Sequence, residues 1–346
     1  MRSPKPLATF LWLASAVALG ATSCRGGCAG SSRGAPSAGG RLALFPIDAR
    51  VVAAFDFAKL RASPLADALG QLVTDAQADK DTVAAFARRT GFDPWRDVES
   101  LVVAFPEDAR TGGQFGLVMR AGNMDQKRLI AYAREQAQQQ SGDLIATTRG
   151  HRTLWSRKGE PDLSGFFIDD RTFALGAGGW AERMADLSEG GAPSGSAATN
   201  VDLARLCDRV AGAPAIWAAA LIPEGTRRQL QSDPRFKSAA SIAHMAVAVD
   251  VEHGLSATLL GDLGSPADAQ TLAAQITGSV RDAKKNPEVL MLGLGPYLDG
   301  VTAESVGASF SARATLADPQ VRDLLGRAAA YLKLARAGQA PGFRRP

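Results

Sequence analysis

The most regular pattern along the chain is an alternation of apolar and polar positions over residues 244–252. Successive side chains of a strand point to opposite faces, so this alternation predicts a strand with one apolar face. A second apolar run at residues 255–260 follows across Gly254, which indicates an antiparallel hairpin. The residues expected on the core-facing side are Met245, Val247, Val249 and Val251.

Helical spacing is clearest over residues 201–210, where apolar side chains recur at i, i+3, i+4 and i+7. This pattern predicts a helix with one buried face, formed by Leu203, Leu206, Cys207 and Val210. Capping signals predict three further helix starts, because short polar side chains bind the first free N–H groups of a helix. They are Asn123 with Gln126, Ser265 before Pro266 and Asp268, and Asp318.

Both halves of the chain predict the same order: strand, helix, hairpin, helix, strand. The first half has predicted strands at residues 50–57, 101–105, 115–119, 152–156 and 165–177, the last of which folds back at residues 169–170. It also has a predicted turn at 107–113 and predicted helices at 60–89 and 123–138. The second half has predicted strands at residues 215–221, 244–252, 255–260 and 307–316, and helices at 201–210, 224–239, from 265, and 318–338. An apolar stretch at residues 287–298 has no assigned element.

This order predicts an α+β fold of two similar halves, with mainly antiparallel sheets covered by helices. Hairpins produce antiparallel pairing, and a regular alternation of strand and helix is missing. The predicted division is a signal peptide at residues 1–23, a tether at 24–41, the first half at 42–188, a linker at 189–198, the second half at 199–338 and a disordered tail at 339–346.

The start of the chain has the layout of a secretory signal peptide. Arg2 and Lys5 give a basic start, residues 7–21 carry no charge, and small residues precede Cys24. A helix of this uncharged run would be about 22 Å long, shorter than the roughly 30 Å hydrocarbon core of a bilayer. We therefore expect residues 1–23 to be removed after export.

Ala21, Thr22, Ser23 and Cys24 resemble the lipobox of bacterial lipoproteins. The resemblance implies that Cys24 becomes the first mature residue and carries lipid, such as palmitate, which holds the protein on a bilayer. In that family Arg25, in place of Asp, implies delivery to the outer membrane of the cell envelope. The same residues leave open ordinary cleavage near Ala21 or Ser23, which would give a soluble secreted or periplasmic protein.

Two short segments of the mature chain, residues 45–49 and 91–95, are similar to predicted envelope lipoproteins of unknown function. This resemblance implies no active site. Residues 25–41 contain Gly, Ser, Ala, Pro and three arginines without a large apolar side chain, so they are expected to form a flexible spacer. Such a coil would hold the folded part about 20–25 Å from the membrane.

Composition indicates an ordinary globular protein, with 46% hydrophobic and 21% charged residues in a chain of 346. The 39 basic and 35 acidic residues nearly balance, and no basic stripe carries interleaved aromatic residues. Nucleic acid is therefore not an expected partner.

The cysteines predict no redox or zinc motif, because Cys24 and Cys28 have the spacing C-x₃-C. Cys207 is expected to be a core thiol, and the alternative is a disulfide with Cys28. Residues 30–34 match the hydrolase motif G-x-S-x-G but lie in the tether, without a strand before them and a helix after them. Residues 176–181 match G-x-G-x-x-A, and a glycine turn is favoured there over a phosphate site because the preceding strand belongs to a hairpin.

Metal and catalytic chemistry have weak support in the sequence. His151, His244 and His253 are placed too far apart to converge on one ion. Asp250 and Glu252 share a face of one predicted strand, and their alternation with valines indicates a solvated face. The prediction therefore contains no catalytic, cofactor-binding or metal-binding residue and no cofactor.

The function expected from the sequence is a membrane-anchored lipoprotein with a non-enzymatic binding or structural role in the envelope. Its expected partners are the lipid bilayer, through acylated Cys24, and an envelope protein or an apolar ligand. The alternative is an exported enzyme whose site is assembled from residues outside any recognised motif.

Overall fold

The computed structural model describes Gly40, Gly70 and residues 42–68, 80–106, 113–211, 214–232, 237–291 and 293–336. The predicted signal peptide, Cys24, Cys28 and the motif at residues 30–34 lie outside the described residues. The same holds for residues 107–112 of the predicted turn and for the predicted tail.

A twelve-stranded sheet runs through the whole protein, in the order β11-β12-β10-β9-β8-β1-β2-β3-β7-β6-β5-β4. Every neighbouring pair is antiparallel. The strands are β1 (Ala49–Asp56), β2 (Val98–Pro106), β3 (Phe115–Ala121), β4 (Leu144–Arg149), β5 (Arg152–Arg157), β6 (Glu160–Asp169), β7 (Thr172–Ala177), β8 (Ile216–Leu221), β9 (His244–Asp250), β10 (Leu255–Asp262), β11 (Val301–Val306) and β12 (Ser309–Leu316).

The helices lie between and after these strands. They are α1 (Phe57–Ala62), α2 (Lys80–Thr90), α3 (Pro94–Asp97), α4 (Gln126–Gln139), α5 (Trp180–Ser188), α6 (Val201–Val210), α7 (Glu224–Gln231), α8 (Pro266–Lys285), α9 (Pro287–Met291) and α10 (Asp318–Arg336). The predicted α+β class with antiparallel pairing is confirmed.

The strand order is symmetrical about the central pair of β1 and β8. Moving outward, one side runs β1-β2-β3-β7-β6 and the other β8-β9-β10-β12-β11. The two central strands are antiparallel, and Ala53 pairs with Ala218 at the middle of their register. This arrangement relates the two halves by an approximate two-fold axis normal to the sheet, and the two halves share one sheet.

The sequence prediction missed two strands, β4 and β11. Both are edge strands that pair on one side only, and five of the six residues of β4 are exposed. An edge strand buries little side-chain surface, so its sequence carries a weak apolar signal. The predicted reversal at residues 169–170 is confirmed, since β6 ends at Asp169 and β7 begins at Thr172.

The two faces of the sheet are covered differently. We call the face that packs against α5 and α6 the back face, and its central side chains are 0–1% exposed: Val52, Ala54, Trp217 and Ala219. The opposite, front face packs against α1, α2 and α10 at one end and against α8 beside β10 and β12. The hairpin prediction holds here, because Val249 and Val251 face the front and Ala246 and Ala248 face the back.

Helix starts show which capping predictions were right. Ser265 accepts a hydrogen bond from the Asp268 N–H at 3.2 Å, as predicted for α8. The predicted cap of α4 was wrong, because Asp125 accepts from the Arg128 N–H at 3.1 Å. Asn123 instead donates to the Gly91 carbonyl. A carboxylate at residue 125 competes for the same N–H groups, and it lies closer to the helix.

The predicted linker at residues 189–198 packs against the segment before β1. Ile47 donates to the Gly195 carbonyl at 2.8 Å, and Ala197 donates to the Phe45 carbonyl at 2.8 Å. Ser196 is buried and its hydroxyl donates to the Leu42 carbonyl. These contacts join the start of the first half to the connection between the halves.

The glycines that follow β7 allow α5 to lie close to the sheet. A Cβ atom on Gly176 would stand 2.4 Å from the Ala181 backbone nitrogen. Gly178 and Gly179 have φ angles of +62° and +79°, which favour glycine. The G-x-G-x-x-A pattern of residues 176–181 therefore serves a close helix–strand contact, and β7 lies in an antiparallel sheet rather than a dinucleotide-binding unit.

We predict opposite effects of two glycine-to-alanine substitutions. Gly176→Ala should lower the free energy of unfolding by about 1–3 kcal/mol or more, because backbone atoms must move to admit the methyl group. Gly278→Ala, inside α8 where a Cβ meets nothing within 4 Å, should raise it by about 0.5–1 kcal/mol. Urea unfolding of both variants provides the test, and equal effects would contradict this packing.

Candidate functional site

Two rows of apolar side chains cross the centre of the front face. The register places Phe105, Val51, Ala220 and Met245 side by side in one row. The next row consists of Val103, Ala53, Ala218 and Val247. We call these eight residues the central trough.

The central trough is partly buried, and Val103 at its β2 end packs against the cluster of α1, α2 and α10. All eight residues are partly exposed, although they lie on four inner strands of a twelve-stranded sheet. The adjacent row on the same face packs into the cluster of α1, α2 and α10, and it contains Leu101, Phe55, Ile216 and Val249. On the β10 side, Leu259 packs into the cluster of α8. The trough thus lies between two groups of front-face helices.

The side chains in the middle of the trough are smaller than those at its ends. Ala53, Ala218 and Ala220 lie on the two central strands, and larger residues stand on β2 and β9 at either end. With strands about 4.8 Å apart, the trough spans roughly 14 Å from β2 to β9. Its eight side chains carry no hydrogen-bond donor or acceptor apart from the weakly accepting Met245 sulfur. This geometry suits contact with an apolar group.

A second feature is a charged cluster on the back face, where α6 meets the ends of β9, β10 and β12. Arg209 donates to both carboxylate oxygens of Asp262 at 2.8 Å, and the Ser309 hydroxyl donates to the same carboxylate at 2.7 Å. His244 Nδ1 lies 3.6 Å from Asp262 Oδ2. The serine hydroxyl therefore donates its proton to the carboxylate, which leaves that proton unavailable to a neighbouring general base.

The electrostatics of Asp262 are those of a structural ion pair. Burial by itself would raise the pKa of this carboxyl group, but hydrogen bonds from Arg209 and Ser309 outweigh burial. The net effect is a pKa below the usual value. The group is thus ionised at neutral pH and holds α6 on the sheet, which is a different role from a general acid with a raised pKa.

Cys207 lies in the back-face core, as predicted. Its side chain is 0% exposed and free of a disulfide. Burial raises the pKa of the thiol to about 12, so the reactive thiolate is scarce at neutral pH. The predicted lipidation residue, Cys24, lies outside the part of the chain that the structure describes.

The remaining candidate residues are dispersed. His244 begins β9, and His253 and His151 lie in turns. Asp250 accepts a hydrogen bond from the Glu252 N–H at 2.8 Å and closes the turn after β9. The prediction that Asp250 and Glu252 share a strand face was wrong, because the strand ends at Asp250. Within the described ranges, no group of three or more His, Cys, Asp or Glu side chains has metal-binding geometry.

The sequence analysis did not identify the central trough. A signal was present, because residues 50–57 and 215–221 are apolar at both odd and even positions, which indicates that each strand has two apolar faces. It did not distinguish a covered face from an open one, since strand order decides which positions become neighbours.

No family model and no curated protein matches the chain. Among solved structures, the chain is similar to crystal form III of TP0453, with a TM-score of 0.44 and 12% identity over 83% of this chain and 97% of that chain. Crystal form I of TP0453 gives a TM-score of 0.42 and 10% identity over 83% of this chain and 96% of that chain. Among the described helices, none has the length and hydropathy of a membrane span.

We predict that Asp262→Asn lowers the free energy of unfolding by about 1–3 kcal/mol at pH 7, because hydrogen bonds to charged groups are lost. A carboxyl group with a lowered pKa stabilises the fold above its unfolded pKa, about 3.9, and this contribution disappears as the pH falls through the folded value. The difference between wild type and variant should therefore shrink below about pH 4.

Urea unfolding at a series of pH values measures this difference. The control is Asp202→Asn, which removes an ion pair with Arg205 between two half-exposed side chains and should change stability by less than about 1 kcal/mol. A stability difference for Asp262→Asn that stays constant down to low pH would contradict the ion-pair role.

Proposed function

We propose that this protein is an exported, membrane-anchored lipoprotein that binds an apolar ligand in its central trough without catalysing a reaction on it. The observation that carries the binding role is the trough itself. An apolar surface at the centre of a sheet is normally closed by helices, and a partly exposed one is compatible with a binding surface. The alanine side chains at its middle leave room for a ligand.

The anchor is proposed from the residues that resemble a lipobox. Cleavage before Cys24 and acylation of its thiol would fix the mature chain to a bilayer. Residues 25–41 would then act as a spacer that holds the folded part about 20–25 Å from the membrane on average. An apolar ligand is poorly soluble in water, so a binding surface held near lipid is physically reasonable. Outer-membrane delivery, implied by Arg25, belongs to the same proposal.

We favour an elongated small molecule, such as a fatty acyl chain, over a protein partner. Ala53, Ala218 and Ala220 leave a narrow depression two rows wide, about 7 Å between rows. A stable protein interface needs roughly 800 Å² from each partner, which is far more than eight half-buried side chains offer. The enzyme alternative gains no support from the Asp262 cluster, because its carboxylate is already neutralised by Arg209.

We predict that Cys24→Ala abolishes incorporation of labelled palmitate in a bacterial host with lipoprotein-processing enzymes, whereas Cys28→Ala, only four residues further, retains it. Acylation requires the thiol at the cleavage point, so the neighbouring cysteine is a matched control. Separation of membrane and soluble fractions gives the second readout, with Cys28→Ala remaining in the membrane. Equal labelling of the two variants, or no labelling of the wild type, would refute the anchor.

We predict that Ala218→Phe reduces the affinity for a fluorescent fatty acid at least tenfold, because the ring fills the depression that the chain would occupy. Ala146→Phe is the matched control, since Ala146 is an exposed alanine on the edge strand β4. Fluorescence titration measures both affinities, and thermal unfolding checks that both variants fold. Wild-type binding that is absent, or equally strong in Ala218→Phe, would refute the trough as a ligand site.

A further inference from the structure

The short helix α9 carries two consecutive large apolar side chains that face solvent. The exposed fraction is 59% for Leu290 and 82% for Met291. α9 packs against the end of α8, and both residues belong to the apolar stretch at 287–298 to which the sequence analysis assigned no element. Leucine and methionine side chains that remain in water do not gain the free energy of apolar burial. Two such neighbours are therefore expected to be covered by another molecule or by lipid.

Three backbone N–H groups of the described residues around α9 bind carbonyl groups of the same segment. Leu290 N–H donates to the Asn286 carbonyl at 3.1 Å, Gly293 N–H to the Leu290 carbonyl at 3.0 Å, and Leu294 N–H to the Val289 carbonyl at 3.0 Å. Backbone groups that are paired internally can leave water at low cost, which is the requirement for entry into lipid. These three groups therefore need no partner strand if the side chains of α9 leave water.

Charged residues lie near the tip in sequence. Arg281 and Lys285 are exposed on the last two turns of α8, and Lys284 is paired with Asp299 at 2.8 Å. Asp282 and Glu288 are the acidic residues closest in sequence. With Asp299, these acidic residues equal the three basic ones in number, so the segment has no net charge and the apolar side chains carry the contact.

We infer that α9 is a second membrane contact, in which Leu290 and Met291 insert into the surface of a phospholipid bilayer. The size of the feature favours lipid over protein: two protruding side chains on a five-residue helix cannot supply the roughly 800 Å² that a stable protein partner requires. Insertion into lipid needs no complementary surface. This contact is separate from the anchor at Cys24 and from the trough, so it does not depend on either.

The test uses the mature chain with Cys24→Ala, exported behind the exchanged leader of a soluble protein, so that no acyl chain or uncleaved leader binds lipid. Co-sedimentation with vesicles of equal parts phosphatidylcholine and phosphatidylglycerol measures partitioning. Met291→Asp and Leu290→Asp should each weaken partitioning about tenfold or more, because a large apolar side chain no longer enters the interface. Val201→Asp, at a residue 71% exposed on α6, should leave it unchanged.

A label reports insertion directly. Met291→Cys, in the same chain with Cys28→Ala, is labelled with a polarity-sensitive dye, whereas buried Cys207 stays unlabelled. Its emission should shift to the blue on addition of vesicles, and the same dye at Val201→Cys should not shift. The inference is overturned if the wild-type mature chain does not bind vesicles, if the tip variants bind as the wild type does, or if both labels respond alike. Failure of palmitate labelling or of fatty acid binding leaves this result unaffected.

Discussion

The pairing of β1 with β8 is the interaction on which the rest of the structure depends. Five residue pairs join the two halves there, from Val51–Ala220 to Phe55–Ile216. Each half alone would end in an open edge strand, which is an aggregation hazard. Their antiparallel contact removes both edges and creates the central trough, since each half supplies one of its two central strands. The trough is therefore a property of the joined sheet.

The helices that cover the two faces of this sheet do not follow its approximate two-fold symmetry. This difference determines which front-face rows are covered. α5 follows β7 and packs on the back face, whereas α10 follows the corresponding strand β12 and packs on the front face. Arg322 of α10 donates to the Pro64 carbonyl beside α1 at 2.8 Å. With α6, α5 buries the centre of the back face, whereas α10 packs into the front-face cluster that contains the row at Phe55. The partial exposure of the trough therefore follows from the positions of the helices that the structure describes.

Helices and hairpins whose pattern lies in neighbouring residues could be predicted from the sequence. α6 was predicted with its bounds, and the β9–β10 hairpin was predicted with the alternation of its two faces, because apolar spacing and Gly254 report on neighbouring residues. The more buried face of β9 was not predicted, since Ala246 is 1% exposed whereas Met245 and Val247 are partly exposed. Asp125 was missed as a cap since two polar residues near one helix start compete. The edge strands were missed because they bury few side chains. The trough is non-local: Ala53 and Ala218 are 165 positions apart, and no spacing rule connects them.

Strand propensity does not explain the alanines of the trough. Alanine is a poor strand former compared with valine or isoleucine, and Ala218 and Ala220 alternate with the fully buried Trp217 and Ala219 on β8. The back-face contacts of Trp217 hold the strand in place, so the front face is free to carry small residues at a small loss of stability. Positions that break a local rule without a structural gain are expected at functional surfaces. The three alanines break this local preference at partly exposed positions, which is why we place the ligand there.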